Sequence, residues 1–299
     1  MISIENIEIA FPNKKLIINK EYKNIDNIFL RKKIGAKSLP RVSFKSKDKV
    51  VNLCYNLAKK KLSKTFLKKI KVIVLCTQNP DYNGLPHNSA IIHSKLDLNS
   101  NVATFDISQG CAGYLYGIKS VESFLNKNEY GILFTCDPYS KIIKKKDYQT
   151  DILFGDAVTL SVLKKNGLSK KLYDSEFYTF GRDYDAIINI NNYLSMDGKR
   201  VMKFCSYQVP NLIRNFLKKR KLKINDIDQF FFHQGSKHIV NTISKKLCIS
   251  NKIAFINDIG NTVSSSIPIL MKKYNYKKRK KIITCGFGVG LSVSIGLFK

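Results

Sequence analysis

The sequence lacks tryptophan and is poor in histidine and in acid: four histidines and 22 Asp and Glu occur among 299 residues. Its seven cysteines include no CxxC pair, which excludes zinc ribbons and thioredoxin-type motifs. The first residues carry Glu5 and Glu8 where a secretory signal has a basic segment and an apolar run. We therefore expect a cytoplasmic protein whose thiols are free, without a metal or disulfide to hold the fold.

The scarcity of acid leaves 52 Lys and Arg and a formal net charge of +30. Such a charge favours a polyanionic partner, namely nucleic acid, an anionic membrane or an acidic carrier protein. A codon bias toward Lys, Asn and Ile explains the same charge without any partner. The basic runs, among them Lys59–Lys61 and Lys144–Lys146, are spread along the chain and match no known nucleic-acid-binding module. Nucleic acid is therefore not an expected partner.

One stretch without charge, Ile282 to Phe298, is similar to a membrane span in composition, but it is short for one and contains four glycines. Its β-branched residues favour two buried strands joined by a glycine turn. No membrane-spanning segment is expected.

Short apolar runs alternate with amphipathic helical patterns along the rest of the chain. Strands that are apolar on both faces belong to sheets covered by helices, so this alternation predicts an α/β fold. The predicted strands are 71–77, 102–107, 131–136, 158–163, 229–232, 252–256 and 281–285, and the predicted helices are 49–61, 87–95, 206–219 and 236–247.

The order of these elements occurs twice. Each half has strand, helix, strand, helix and strand, with the second helix starting near Cys111 in one half and near Thr262 in the other. The repeat predicts a duplicated fold with a pseudo-twofold axis, whose halves, 1–168 and 169–299, meet in a polar, glycine-bearing segment. It also places Cys111 and Asn261 at equivalent positions, each between a strand and a buried helix.

Cys111 follows Asp-Ile-Ser-Gln-Gly after a predicted buried strand and precedes a helical pattern. A thiol at the first turn of a buried helix meets unpaired N–H donors and the positive end of the helix dipole, and both favour the thiolate. Cys111 is therefore a candidate nucleophile. A small buried hydrophobe is the ordinary alternative, and it fits the other six cysteines as well.

Three further features suit a site built around that thiol. His233 ends a strongly apolar strand at the edge where α/β proteins place ligands. Asn261 lies in a stretch of small hydroxyl residues that lets amide donors point into a pocket. A buried structural histidine and a helix N-cap are the ordinary alternatives. The glycine run Gly286–Ser292 is wrongly spaced for a dinucleotide fingerprint and forms either a plain hairpin or a turn that binds an oxyanion.

Together, the order and spacing of these residues resemble the thiolase superfamily and, within it, the β-ketoacyl-acyl carrier protein synthase III family. The resemblance covers nearly the whole chain and implies a thiolase-like fold of five layers, α-β-α-β-α. The segments that carry it are Phe105–Gly117, Leu153–Ala157, Ser195–Lys203, His233-Gln234, Gly260–Ser266 and Gly286–Ser292.

The resemblance implies an acyltransferase of fatty acid biosynthesis that needs no cofactor and uses coenzyme A or acyl carrier protein thioesters. Cys111 would take the acyl group from its thioester. A malonyl thioester would then lose carbon dioxide, and its enolate, stabilised by His233 and Asn261, would attack the acyl-enzyme to give a 3-oxoacyl thioester. The backbone N–H groups of Cys111 and Val289 would form the oxyanion hole.

The positions that contact coenzyme A in the family depart from its pattern. By alignment they hold Phe29, Lys33, Tyr148, Lys199 and Ser236 in this chain. Where the family has arginine, whose guanidinium can bind a pyrophosphate with two hydrogen bonds, this chain has lysine, which offers only a point charge. Weak coenzyme A binding is therefore expected.

The resemblance also assigns Phe154, in the FGD turn, to the substrate site, and it implies a homodimer whose partner chain closes the acyl pocket. Leu85 takes the position of a pocket-gating phenylalanine, and the smaller gate is expected to change the acyl chain accepted. Lys203 and neighbouring basic residues match the region where the family docks its acidic acyl carrier protein, which gives the net charge a use.

Two other functions stay open on the residues alone. An acyltransferase of the same fold would pass the acyl group from Cys111 to a hydroxyl or amine, as in specialised-metabolite or surface-sugar pathways, and has no clear need of Asn261. A non-catalytic carrier-binding or nucleic-acid-binding protein would need none of Cys111, His233 and Asn261. The presence of all three residues favours the condensing enzyme.

Overall fold

The computed structural model describes residues 1–43, 49–144 and 147–299, so two lysines of the basic run Lys144–Lys146 lie outside the described residues. The strands are β1 (Ile2–Ala10), β2 (Lys14–Ile17), β3 (Ser38–Arg41), β4 (Ile70–Cys76), β5 (Ala103–Ile107), β6 (Tyr130–Cys136), β7 (Val158–Lys165), β8 (Lys170–Thr179), β9 (Ile187–Ile190), β10 (Tyr193–Met196), β11 (Gln229–Phe232), β12 (Ile282–Gly288) and β13 (Ser292–Phe298). The α-helices are α1 (Ile18–Glu21), α2 (Asn27–Phe29), α3 (Val50–Lys61), α4 (Lys64–Leu67), α5 (Asn88–Lys95), α6 (Gly113–Ser123), α7 (Tyr148–Asp151), α8 (Gly198–Lys219), α9 (Lys237–Leu247) and α10 (Ser266–Lys273).

Nine strands form one sheet in the order β11-β12-β13-β8-β1-β7-β6-β4-β5. Its middle is thin, because β1 pairs with β8 only through Ser3 opposite Lys171 and Ile4 opposite Lys170. The sheet thus divides into an amino-terminal set, β1 and β4–β7, and a carboxyl-terminal set, β8 and β11–β13. The predicted boundary between residues 168 and 169 lies in the turn that joins β7 to β8, and the division into two domains stays a prediction.

Apolar packing arranges the helices and the two strand sets in five layers. Helices α6 and α10 lie in the middle, where their apolar side chains pack against β1 and β4 on one side and against β11–β13 on the other. Helices α3 and α5 cover the outer face of the amino-terminal set, and α8 and α9 cover the outer face of the carboxyl-terminal set. The α-β-α-β-α architecture predicted from the sequence is confirmed.

This arrangement decides where a site can form. The strands β4, β5 and β6 run parallel, and so do β11 and β12. The loops after parallel strands gather at one edge of a sheet, which is where α/β folds bind ligands. Cys111 follows β5 and His233 follows β11. Each half therefore places one reactive side chain in the loops at the carboxyl ends of its parallel strands.

One predicted strand is wrong: residues 252–256 form only an isolated bridge, Phe230 opposite Ile253. The strand pairing stops there because the next backbone N–H groups donate to side chains. Phe255 N–H donates to the Tyr274 hydroxyl, and Ile256 N–H donates to Gln234 Oε1. Helix α8 begins at Gly198, eight residues before its predicted start. The uncharged stretch after residue 281 forms two strands, as predicted, and none of the helices in the described ranges is long and apolar enough to cross a membrane.

Candidate active site

Cys111, His233 and Asn261 line a single cavity of about 640 Å³. They are 5%, 2% and 7% exposed, so the cavity floor is almost closed to solvent. Cys111 comes from the amino-terminal half and the other two come from the carboxyl-terminal half, as the repeat predicts. Five of the other predicted site residues also line this cavity: Phe154, Lys199, Lys203, Ser236 and Val289.

Cys111 is placed by a tight turn. Gly110–Ala112 form a 3-10 turn that leads directly into α6, so the thiol lies at the amino end of a buried helix, as predicted. Gly288, at the end of β12, lies against the thiol, and a Cβ at that position would be 2.8 Å from Cys111 Sγ. Because Gly288 has no side chain, the glycine turn at Gly286–Ser292 leaves room for the thiol, and it brings the Val289 N–H to the sulfur.

The backbone N–H groups at this position favour the thiolate, as expected, but burial of the thiol outweighs them. Burial raises the pKa of the Cys111 thiol far above its ordinary value, and the Asp137 carboxylate raises it further. The backbone N–H groups of Val289 and Cys111 lower it by a smaller amount. Desolvation outweighs the helix terminus because a buried thiolate loses its hydration on all sides, whereas the helix supplies only partial charges. Burial therefore favours the protonated form of the Cys111 thiol over the thiolate.

His233 is held at the end of β11 by its backbone N–H, which donates to the Cys285 carbonyl at 2.8 Å. Its ring meets Phe287 edge to face, with centroids 5.4 Å apart. Burial lowers the pKa of His233 to about 3, although the nearby Val263 carbonyl favours the protonated ring. Nδ1 has no hydrogen-bond partner of good geometry in the described residues. The imidazole is thus neutral at physiological pH and offers one N–H donor and one lone pair.

Asn261 is fixed through both its backbone and its side chain. Its N–H donates to the Leu153 carbonyl at 2.8 Å, and its carbonyl accepts from Gly155 at 3.0 Å. Its Oδ1 accepts from the Val263 N–H at 2.9 Å. Because the oxygen is engaged, the Nδ2 amide is the part of the side chain left to act on a ligand, and it can only donate.

The FGD turn that holds Asn261 in place depends on two glycines. A Cβ on Gly155 would lie 2.0 Å from the Ile259 carbonyl oxygen, and Gly260 has a φ of +64°. Both positions exclude other side chains, since the two backbones touch at the Phe154–Asn261 bridge. Phe154 thereby reaches the cavity floor, where its ring stacks on Tyr139.

Gln234, which the sequence offered only as the neighbour of His233 and without a role, joins the two loops of the carboxyl-terminal half. Its Nε2 donates to the Ile256 carbonyl at 2.8 Å and to the Gly260 carbonyl at 3.3 Å, and its backbone N–H donates to Ser266 Oγ. This side chain lies next to His233 and fixes the residue before Asn261. Its signal in the sequence was only its place after the histidine.

Asp137, another residue that the sequence did not single out, is a buried carboxylate behind Cys111. Its Oδ1 accepts from the Gln78 N–H at 2.5 Å, and its Oδ2 accepts from the Ser264 hydroxyl. These donors lower its pKa, but burial dominates and raises the pKa of Asp137 to about 6. The carboxylate ties the loop after β6 to the start of the second helix of the other half.

The raised pKa predicts a pH dependence of stability. The pKa of Asp137 is about 6 in the folded chain and 3.8, the ordinary value, in the unfolded chain, so the folded chain binds this proton more tightly. Protonated Asp137 therefore contributes roughly 3 kcal/mol to the free energy of unfolding below pH 3.8, and this contribution is lost as the pH rises through 6. Asp137→Asn should flatten the stability profile from pH 4 to 6, measured by urea unfolding. Asp97→Asn, at an exposed site, should keep the wild-type slope, and parallel profiles for Asp137→Asn and wild type would contradict the prediction.

The mouth of the cavity is basic. Exposed Lys199 and Lys203 line it together with half-buried His238, whose Nδ1 lies 3.4 Å from Lys33 Nζ. Ser236 faces the same space, but its hydroxyl also caps α9 by accepting from the Ile239 N–H at 3.2 Å. Of the other basic residues near the predicted docking region, Arg200 is held by Asp183 and Asp185, and Arg214 donates to the Lys246 carbonyl.

Four predicted substrate residues do not line the cavity. Phe29 is exposed on α2, Tyr148 is exposed on α7, and Lys33 reaches the mouth only through His238. Leu85 is 86% exposed and lies outside its own chain's cavity. Within one chain, these side chains are therefore not positioned to contact a thioester held in this cavity.

Comparison with known proteins supplies the family. The model for 3-oxoacyl-[acyl-carrier-protein (ACP)] synthase III matches residues 105–181, and the model for its C-terminal part matches residues 217–299. A β-ketoacyl-[acyl-carrier-protein] synthase III from Limosilactobacillus reuteri is 30% identical over 266 residues, covering 81% of this chain and 82% of that protein. One from Acholeplasma laidlawii is 28% identical over 255 residues, covering 82% and 81%.

Solved structures agree in fold. The crystal structure of 3-oxoacyl-[acyl-carrier-protein] synthase III from Aquifex aeolicus superposes with a TM-score of 0.89 at 21% identity, over 100% of both chains. The matched segments contain Cys111, His233 and Asn261, the residues that share the cavity floor. This chain belongs to the β-ketoacyl-[acyl-carrier-protein] synthase III family.

Proposed function

We propose that this chain is an acyl-thioester condensing enzyme of fatty acid biosynthesis, with Cys111 as the nucleophile and His233 and Asn261 as the donors that stabilise the enolate. The observation that carries the proposal is that a thiol, a neutral imidazole and an oriented amide meet on one buried cavity floor. The sequence of the chain places it among synthases whose names state the same reaction class.

In the first step Cys111 Sγ attacks the carbonyl carbon of an acyl thioester. The new C–S bond forms as the bond to the carrier sulfur breaks, and the thiol proton leaves with the carrier thiol. The Cys111 and Val289 N–H groups, which lie at the sulfur, stabilise the negative oxygen of the tetrahedral intermediate. Because burial favours the protonated thiol, its proton has to leave Cys111 as the new C–S bond forms, and the expelled carrier sulfur receives that proton.

In the second step a malonyl thioester loses its carboxylate as carbon dioxide, and the electron pair of that C–C bond forms an enolate. His233 N–H and Asn261 Nδ2 donate to the enolate oxygen. The enolate carbon attacks the acyl-enzyme carbonyl, the new C–C bond forms as the C–S bond to Cys111 breaks, and the Cys111 thiolate takes a proton from water. Neutral donors suit this intermediate, since they match a spread-out charge without holding the starting carboxylate.

The alternative acyl transfer to a hydroxyl or amine is not favoured, because the matched family is one of synthases and because the engaged Oδ1 of Asn261 leaves its Nδ2 amide to donate. Intact mass spectrometry after incubation with acyl thioesters should show an adduct on Cys111. Addition of malonyl-acyl carrier protein should then release carbon dioxide and remove the adduct. A stable adduct without carbon dioxide release would contradict condensation, and the absence of any adduct would contradict the nucleophile.

We propose an acidic acyl carrier protein as the partner, docked on the basic mouth formed by Lys199, Lys203 and His238. Lys203→Glu should lower kcat/KM for the carrier-bound substrate about threefold to tenfold at low salt, because electrostatic steering of association is weakened. The loss should shrink as salt rises. Lys218→Glu, on the same helix but outside the cavity, gives the same change in net charge and should have little effect. Equal losses for the two variants would contradict a local docking site.

We propose that the protein is a homodimer. Strand β5 ends the sheet, and in the described part of the chain no strand pairs with its outer side, so a second copy can pair there. Leu85 fits this assembly, because an exposed leucine on the nearby loop suits contact with a partner better than contact with water. Its role as a gate would then be exerted on the partner's pocket.

A further inference from the structure

The edge of the molecule opposite the active-site loops carries an exposed leucine. Leu168 lies in the turn between β7 and β8, and its side chain is 94% exposed. This turn is at the far edge because β7 runs antiparallel to β6, which places Lys164, near the end of β7, opposite Tyr130 at the start of β6. Cys111 and His233, by contrast, follow the carboxyl ends of their strands.

The backbone fixes the position of this turn. The Asn166 N–H donates to the Met1 carbonyl at 2.8 Å. Gly167 is buried against β1, where a Cβ would lie 2.1 Å from Ser3 Oγ. The turn is therefore anchored to β1 on its inner side, and Leu168 extends from it into solvent.

Basic side chains surround the leucine. Six of them come from β8, from the segment before β12 and from the residue after β13: Lys171, Lys277, Lys278, Arg279, Lys280 and Lys299. The segment before β12 is held beside the turn by Lys170, whose buried ammonium donates to the carbonyls of Arg279 and Lys280. Leu168 shares the lining of a cavity of about 500 Å³ with Lys171, Lys277 and Lys299. We call Leu168 and these six basic side chains the far-edge patch.

The far-edge patch has an excess of positive charge. In the ranges that the structure describes, none of its six basic side chains is in an ion pair. Two carboxylates next to the patch are engaged elsewhere, since Glu5 accepts from the Ser3 hydroxyl at 2.5 Å and Asp228 accepts from the Lys281 N–H at 2.8 Å. A cluster of this size and sign attracts an anionic surface.

The apolar side chains of this edge favour lipid over nucleic acid. An exposed leucine adds nothing to the binding of a phosphate backbone, whereas it is stabilised when it leaves water for the acyl region beneath lipid phosphates. Tyr173 is 53% exposed beside it, and the Lys299 Nζ lies 3.4 Å from the centroid of its ring. Tyrosine and lysine are both typical of the boundary between a membrane and water.

We propose that the far-edge patch docks this protein on the surface of an anionic phospholipid membrane, with Leu168 among the lipid chains and the basic side chains against the lipid phosphates. Docking by this edge leaves the mouth of the active-site cavity open to carrier-bound substrates on the opposite side. The proposed dimer edge, β5, is separated from β8 by β1, β7, β6 and β4, so pairing there leaves the patch exposed. The inference is independent of the proposed function, because it requires no acylation of Cys111.

Co-sedimentation with lipid vesicles tests the charged part of the patch. Wild type should bind vesicles of equal parts phosphatidylglycerol and phosphatidylcholine, and it should not bind vesicles of phosphatidylcholine alone. The double variant Lys277→Glu, Lys280→Glu should weaken binding at least about tenfold, because two attractive contacts become repulsive. The double variant Lys14→Glu, Lys15→Glu makes the same change of charge on β2 and should bind nearly as wild type. Strand β2 follows the end of β1 that pairs with Val158, away from the patch.

Leu168→Ser tests the apolar part without a change of charge. It should weaken binding to the anionic vesicles about fivefold or more, since less apolar surface leaves water on docking. The turn should keep its shape, because the Leu168 side chain is exposed. Ile17→Ser is the matched control, since it removes a partly exposed apolar side chain from β2, and it should bind as wild type.

Wild type that binds neither kind of vesicle, or both equally, would overturn the proposal. Equal weakening by the two double variants would overturn it as well, because net charge and not the patch would then decide binding. Unchanged binding of Leu168→Ser, or tighter binding of wild type to double-stranded DNA than to the anionic vesicles, would assign the patch to another polyanion. Failure of the proposed function is seen separately, as the absence of a Cys111 adduct in wild type.

Discussion

Cys111→Ala is expected to abolish the acyl-enzyme adduct and to lower condensing activity by about a thousandfold or more, since no other group then forms the covalent intermediate. The expectation is strong because the surroundings serve this one sulfur. The Val289 N–H reaches it, and Gly288 leaves room for it. Intact mass after incubation with acetyl thioester and an assay of 3-oxoacyl thioester formation measure the two losses.

Cys205 provides the matched control. It lines the same cavity and is buried, and burial raises the pKa of its thiol to about 12. It lies within α8 and not at the start of a helix, and the N–H groups of the closing turn are not directed to it. Cys205→Ala should therefore keep the adduct and most of the activity. An adduct that survives in Cys111→Ala and disappears in Cys205→Ala would reverse the assignment.

Asn261→Asp is expected to lower condensation by about a hundredfold to a thousandfold while Cys111 is still acylated. The substitution is nearly isosteric and keeps an oxygen for the Val263 N–H, so the loop should hold its shape. It replaces the Nδ2 donor by a carboxylate oxygen, which repels the enolate. The expected observation is an acyl-enzyme that accumulates when malonyl-acyl carrier protein is present, together with slow carbon dioxide release.

Asn257→Ala is the control for this prediction, because Asn257 lies in the same loop, is exposed and contacts Lys237 outside the cavity. It should leave both steps near the wild-type rates. Loss of acylation in Asn261→Asp would mean that the residue acts in the first step or supports the loop, and it would contradict a role confined to the enolate.

The fold was predictable because its signals are local. Apolar runs such as 131–136 and 229–232 bury both faces, and the order of elements repeats, so a duplicated α/β fold follows. The failure at 252–256 shows the limit of such signals. There the donors of Phe255 and Ile256 pair with Tyr274 and Gln234, side chains that the local pattern does not connect to this segment.

The sequence determined by itself which residue types are available and in what order: one cysteine before a helix, one histidine after an apolar strand, one asparagine among small residues. Their meeting on one cavity floor and the raised pKa of the buried thiol were decided only by the tertiary structure. The physical reason is that desolvation and cavity shape depend on atoms from distant segments, such as Gly110 against Gln78. Local patterns carry no record of those contacts.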